Sequence, residues 1–190
     1  MRTVFFDFDG VLCFDRFYKS IKKKYPEVFR FIQENVFNTE MIDGWMRNEI
    51  NSNDVNLLIS KKTGIDFDEL DSLFIKDVEE MDLDLRPVSF FKERVLVTNN
   101  MDVFSEVTKK RLKKVFPFMF NSADYGVLKT EGLFDIVLKE LNLKYEDVLL
   151  IDNSERIGRF FKQKGGQFYL YKTYEEFESS AIIKKYAKHN

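Results

Sequence analysis

The stretch Val4-Phe5-Phe6-Asp7-Phe8-Asp9-Gly10-Val11-Leu12 decides how this chain is read. A run of β-branched and aromatic residues from position 3 predicts a buried strand, and two acids and a glycine come directly after it. Carboxylates then stand at the carboxyl edge of that strand, where open α/β sheets place their ligands. Side chains alternate along a strand, so a continued strand points Asp7 and Asp9 the same way and sets two negative charges close together. Such a pair wants a cation or a proton. The bland alternative is a strand followed by an Asp-Gly turn, in which Asp9 only starts a tight bend.

Other strand ends carry the same kind of punctuation. Four short apolar runs predict buried parallel strands: Thr3 to Phe6, Arg94 to Thr98, Asp147 to Ile151 and Gln167 to Tyr171, with Phe118 to Ser122 as a weaker fifth. Helical patterns lie between them, at Ser105 to Val115, Leu133 to Leu141 and Arg156 to Lys164. Alternating strand and helix predicts an α/β fold with a doubly wound parallel sheet. The second run ends in Thr98-Asn99-Asn100, whose hydroxyl, amide and backbone N–H groups can hold anionic oxygens, or can merely cap a helix. Lys129 falls in a loop before a helix, where an ammonium can neutralise a carboxylate and a bound phosphoryl group, or stand as an ordinary surface lysine. The fourth run, Val148-Leu149-Leu150-Ile151, ends in Asp152-Asn153-Ser154. Hard oxygen ligands with waters and a substrate phosphate suit Mg²⁺ better than Zn²⁺.

A chain of 190 residues with 44% hydrophobic content and 21 phenylalanines has enough apolar mass for one sizeable core. Thirty basic against 32 acidic residues leave a net charge of −2, so no overall field recruits nucleic acid or a membrane surface. The short clusters Lys22-Lys23-Lys24 and Lys109-Lys110-Arg111 read as solvated helix faces. The single cysteine, Cys13, excludes an internal disulfide framework. Its thiol would need a base to act as a nucleophile, and the one histidine is His189, so Cys13 reads as a small buried hydrophobe. With no leader and no long apolar run, the expected location is cytoplasmic.

The stretch from Asp15 to Arg86 breaks the alternation: it holds several amphipathic helical patterns and no convincing strand. About seventy residues are too many for one crossover helix. The predicted organisation is a core of residues 1–14 and 87–190 with an inserted helical subdomain, residues 15–86, placed as a lid over the strand edge; the alternative is that these helices pack on the sheet as ordinary layers. Within it, Trp45 and Arg47 read either as groups facing the site, stacking on a ring and gripping an anion, or as a packed Trp and an exposed Arg.

In the order and identity of these strand ends, the chain resembles the haloacid dehalogenase-like hydrolase superfamily, whose core is Rossmann-like. The four motifs match Asp7-Phe8-Asp9-Gly10-Val11-Leu12, Thr98-Asn99, Lys129 and Asp152-Asn153-Ser154, and the helical insertion resembles the family's small α-helical cap. The resemblance implies a Mg²⁺-dependent phosphomonoester hydrolase acting on a small phosphorylated metabolite through an aspartyl-phosphate. Asp7 is then the nucleophile, Asp9 the acid and base, and Lys129 the charge-offsetting cation. Thr98, Asn99 and Lys129 hold the phosphate; Asp7, Asp9 (by its backbone carbonyl), Asp152 and Asn153 surround the metal. Relatives that cleave carbon–halogen bonds lack the second acid, so Asp9 points to phosphate esters. Asn153 departs from the family pattern, which commonly has an acid there, as do Ile157 for asparagine and Thr130 for proline. The Asn153 departure keeps a second reading open: a weak or inactive protein on this scaffold that binds a phosphorylated ligand or a protein partner.

Overall fold

The computed structural model describes residues 3–187; His189 lies outside them. Five strands, β1 Thr3–Phe6, β2 Arg94–Thr98, β3 Phe118–Asn121, β4 Val148–Asp152 and β5 Gln167–Leu170, form one all-parallel sheet in the order β3-β2-β1-β4-β5. The chain steps outward from β1 to β2 and β3, then returns to the other side of β1 as β4. This reversal makes the carboxyl edge between β1 and β4 the natural crevice for a ligand. Phe6 pairs with Ile151 in register, and the Asp7 amide donates to the Ile151 carbonyl (2.9 Å), so Asp7 and Asp152 emerge side by side.

Alternation along the strands builds two apolar layers. Val4, Phe6, Leu96, Leu149 and Ile151 face one way; Phe5, Val95, Val97, Val148 and Leu150 face the other. The second face is covered by the helices Phe134–Glu140 and Glu155–Gln163, through Phe134, Val137, Leu138, Ile157 and Phe161. Ile157, the position that departs from the family pattern, is thus a core contact. Gly158 lets the helix Glu155–Gln163 approach β5 closely: a Cβ there would lie 2.1 Å from the Phe168 ring. Gly158→Ala is therefore expected to lower stability by about 1–3 kcal/mol through overpacking, read as a lower urea midpoint; an unchanged midpoint would show that the helix slides freely over the strand.

Helices α1 (Lys19–Lys24), α2 (Pro26–Ile32), α3 (Met41–Met46), α4 (Ser52–Thr63) and α5 (Phe67–Glu79) lie between β1 and β2. Side-chain caps define two of them: the Asn51 side chain accepts from the Asp54 amide in a capping box at α4, and Asp66 accepts from the Glu69 amide at α5. Gly64, at φ 75°, ends α4 in the left-handed region that favours glycine. Tyr18, Trp45 and Phe74 pack together, with Tyr18 stacked on Phe74 at 4.7 Å. Their cluster is continuous with the first face of the sheet, so the inserted helices share a core with it. Trp45 is fully buried, which matches the packed reading of that residue.

Element boundaries differ modestly from expectation. Asp147 belongs to a 3-10 turn (Tyr145–Asp147), and β4 runs on to include Asp152. The helix expected over Ser105 to Val115 is a π turn, Phe104–Thr108, followed by four α-helical residues, Lys109–Leu112. Among the described residues, no helix is long and apolar enough to cross a membrane.

Candidate active site

Strand β1 stops at Phe6, so Asp7 and Asp9 do not sit on one continued strand as the alternation alone would have them. Instead the chain turns tightly: the Phe8 carbonyl accepts from the amides of Val11, Leu12 and Cys13, and the Gly10 amide donates to the Cys13 carbonyl. Gly10 adopts φ 73°, and a Cβ there would collide with Asn153 at 1.9 Å from its Nδ2. The positive φ demands glycine, and a side chain here would also push the exposed Asn153 amide aside. The turn is real, and it also builds a site: the bland and functional readings of the Asp-Gly step describe the same residues.

Lys129 stands at the centre. It is buried, and its Nζ lies 2.6 Å from Asp7 Oδ1 and 2.9 Å from Asp152 Oδ2. The surface alternative for this lysine is thereby excluded. Asp7 Oδ1 also accepts from the Phe8 amide (2.8 Å), and Asp152 Oδ1 from the Ser154 amide (2.8 Å), so one oxygen of each carboxylate is oriented by its own strand end. Asn99 Oδ1 accepts from the Lys129 backbone amide (2.8 Å), pinning the loop that delivers the ammonium. Thr98 is buried, and its hydroxyl has no hydrogen-bond partner among the described residues. An unmet buried hydroxyl costs about 1–3 kcal/mol, and one at the sheet edge that also carries Asp7 and Asp152 is a place for a ligand oxygen.

Charge is unbalanced here: Asp7, Asp9 and Asp152 face a single buried ammonium. Desolvation, then the charge of Asp152, push the Asp7 carboxyl up to about 6, against the pull of Lys129. Desolvation and the charge of Asp7 push Asp9 up to about 7. Lys129 is held above its ordinary value because Asp152 and Asp7 outweigh the opposing effect of burial. The cluster thus has an appetite for positive charge. Cys13, by contrast, is buried and its thiol is pushed up to about 12 by desolvation, which leaves it a neutral core group.

Asn100 and Ser122, outside the expected catalytic and ligand-binding set, are joined to the acids by the tertiary structure. Asn100 is fully buried and its Nδ2 donates to Asp9 Oδ2 (2.8 Å), so it orients the second acid. Its backbone amide donates to Ser122 Oγ (3.1 Å), and that hydroxyl donates to the Met46 carbonyl (2.6 Å) at the end of α3. Asn100 stood in the Thr98-Asn99-Asn100 motif, whereas Ser122 had no local signal. Arg47 neither grips a ligand nor stands free: its Nε and Nη2 donate to the two Glu131 carboxylate oxygens, each at 2.9 Å. That contact lowers the Glu131 carboxyl to about 2 and ties the insertion to the Lys129 loop. Asn153 is exposed, with its side chain against Gly10.

Next to Asp9 a cavity of about 540 Å³ opens between the strand edge and α1, α2 and α3, lined by Arg16, Phe17, Phe29 and Met46 among others. Its size is ordinary for a small-molecule site.

No family model matches the sequence, and no curated protein matches it either. Solved structures do resemble the fold. A HAD-family enzyme from Bacteroides thetaiotaomicron, solved with magnesium and inorganic phosphate, superposes with a TM-score of 0.73 at 16% identity, over 90% of this chain and 93% of that one. A HAD-like family hydrolase from Porphyromonas gingivalis gives 0.71 at 16% identity, over 97% of each chain. An L-2-haloacid dehalogenase from Xanthobacter autotrophicus with chloropropionic acid covalently bound gives 0.67 at 13% identity, over 96% of this chain and 82% of that one. The all-parallel sheet and the near-complete coverage in both directions agree: this chain has the haloacid dehalogenase-like hydrolase fold.

Proposed function

We propose that this protein is a Mg²⁺-dependent phosphomonoester hydrolase that acts on a small phosphorylated metabolite through an aspartyl-phosphate on Asp7. The observation that carries this reading is the division of labour between two acids. Asp7 is clamped by Lys129 and by the Phe8 amide, while Asp9 lines the cavity and is held by Asn100. A fixed carboxylate with a free oxygen is suited to attack; a carboxyl shifted toward neutral pH and facing the cavity is suited to give and take a proton. Asp7 attacks phosphorus, Asp9 protonates the departing alkoxide, and Asp9 then takes a proton from the water that hydrolyses the acyl phosphate. The Thr98 hydroxyl supplies a donor to a phosphoryl oxygen. Asn99 holds the Lys129 backbone amide with its Oδ1 and offers its Nδ2 as a second donor to the phosphate. Residues 15–86 serve as the cap that bounds the leaving-group space.

The residues fit Mg²⁺. Asp7 and Asp152 stand side by side at one strand edge, each with one oxygen on Lys129 Nζ, the donors are hard, and the cluster carries surplus negative charge. Among the described residues, no three acidic, histidine or cysteine side chains stand close enough to hold a metal alone. That suits an ion bound by one or two carboxylates, waters and a substrate phosphate. Asp7, Asp152 and the Asp9 carbonyl would hold it, with Asn153 at the margin. Bound there, Mg²⁺ supplies charge neutralisation for the transferring phosphoryl group. The Bacteroides thetaiotaomicron enzyme with magnesium and phosphate supports this reading. Because another neighbour is a dehalogenase, the test pairs two substrates. An aryl phosphate should be hydrolysed with Mg²⁺ and not with EDTA, while 2-chloropropionate should release no chloride. Asp9→Asn should retain the circular dichroism of the parent and lose about 10²–10⁴-fold in turnover. Equal activity in that variant would overturn the assignment of Asp9, and chloride release would overturn the substrate class.

A further inference from the structure

Resting on the phosphatase reading, we propose that the leaving group is an alcohol with an apolar, ring-sized body and a second anionic group, the latter received by Arg16 and Lys22. The cavity beside Asp9 is lined by Phe17, Phe29, Phe37 and Ile42 from the insertion and by Met101 from the core, a surface with little to offer a polyhydroxylated sugar. Two cations interrupt it. Among the described residues, Arg16 has no hydrogen-bond or ion-pair partner, and Lys22 makes only a cation–π contact, 5.6 Å from the centre of the Phe29 ring. Most other basic groups nearby are satisfied: Lys19 pairs with Asp15, Lys24 with Glu69 and Arg47 with Glu131. Asp15, which also lines the cavity, is already occupied by the Lys19 ammonium (2.9 Å) and the Asp82 amide (2.9 Å), so it does not cancel the two cations. The acid left to the cavity is Asp9: Asn100 holds one of its oxygens, and Arg16 is near enough for its charge to favour the Asp9 carboxylate, with no ion pair between them.

Unpaired cations on an apolar wall are what an amphipathic anion needs. Its flat body covers the aromatic rings, and its charged end meets Arg16 and Lys22, where the neighbouring apolar surface strengthens the attraction. A leaving group of this kind also explains why the cavity places its polar lining in charge rather than in hydroxyl and amide groups, apart from Gln33.

The test compares two esters that differ only in the second charge, 4-carboxyphenyl phosphate and phenyl phosphate, with Mg²⁺ and the full chain. Wild-type protein should favour the carboxylated ester in kcat/KM by at least about tenfold, and the Arg16→Gln/Lys22→Gln double variant should bring the ratio to within about twofold. If both esters are hydrolysed with a ratio near one, or if the preference survives in the double variant, the inference is overturned and the phosphatase reading stands. If neither ester is hydrolysed, that reading fails and binding decides the cavity. Calorimetry with 4-(phosphonomethyl)benzoate and benzylphosphonate should then still show tighter binding of the former, lost in the double variant; equal or absent binding overturns the inference.

Discussion

Asp7→Asn is expected to leave a folded protein with at least about 10³-fold less phosphatase activity. An amide of the same shape keeps the acceptor oxygen that meets the Phe8 amide and Lys129, yet it has no charge with which to attack phosphorus. Its effect on stability runs the other way. Three carboxylates face one ammonium in this cluster, and Lys129 keeps Asp152 at 2.9 Å when Asp7 is neutralised. The urea midpoint of the variant should therefore lie at or above that of the parent, the pattern of a site that trades stability for activity. Activity within tenfold of the parent would remove Asp7 from the nucleophile role. Lost activity with a large fall in midpoint would mean that the carboxylate is mainly structural.

Lys129→Met should be the most destabilising single change in the site. Buried ammonium and carboxylates are costly to dehydrate and are tolerated because they are paired; removing the one cation leaves Asp7 and Asp152 buried side by side. The expected loss is about 3–5 kcal/mol, measured by urea unfolding. Adding Asp152→Asn to the variant should recover more than half of that loss, because one of the stranded charges is then gone. A loss under about 1 kcal/mol, or no recovery in the double variant, would contradict the charge-centre description. Activity should vanish with Lys129 in either background, since the nucleophile loses the group that holds it.

Much of this arrangement is legible in the chain alone. Parallel strands buried on both faces need continuous apolar runs, so Val4-Phe5-Phe6, Val95-Leu96-Val97 and Val148-Leu149-Leu150-Ile151 announce themselves, and the residues that terminate these runs must all lie at the same edge of the sheet. That reasoning places Asp7, Thr98, Asn99 and Asp152 near one another with no knowledge of distances. The weak edge strand Phe118–Asn121 is visible for the same reason, though it is short and half exposed. Local hydrogen bonds decide the misplacements. A π turn at Phe104–Thr108 breaks the helical period expected over Ser105 to Val115. Asn99 also holds the Lys129 backbone amide with its Oδ1, a second task invisible in the chain, because an amide's partner is set by which backbone passes within hydrogen-bonding reach.

Sequence by itself determined the α/β class, the strands, the edge at which chemistry gathers and the acids that gather there, because burial periodicity and strand ends are local properties of the chain. Only the tertiary structure decided that Lys129 lies between Asp7 and Asp152, that Asn100 and Ser122 connect Asp9 to the Met46 carbonyl, and that Arg47 is spent on Glu131. It also decided that Arg16 and Lys22, with no ion-pair partner among the described residues, stand on an aromatic wall. Each of these joins residues from separate elements, and such partnerships are fixed by packing and charge balance across the fold rather than by any pattern along the chain.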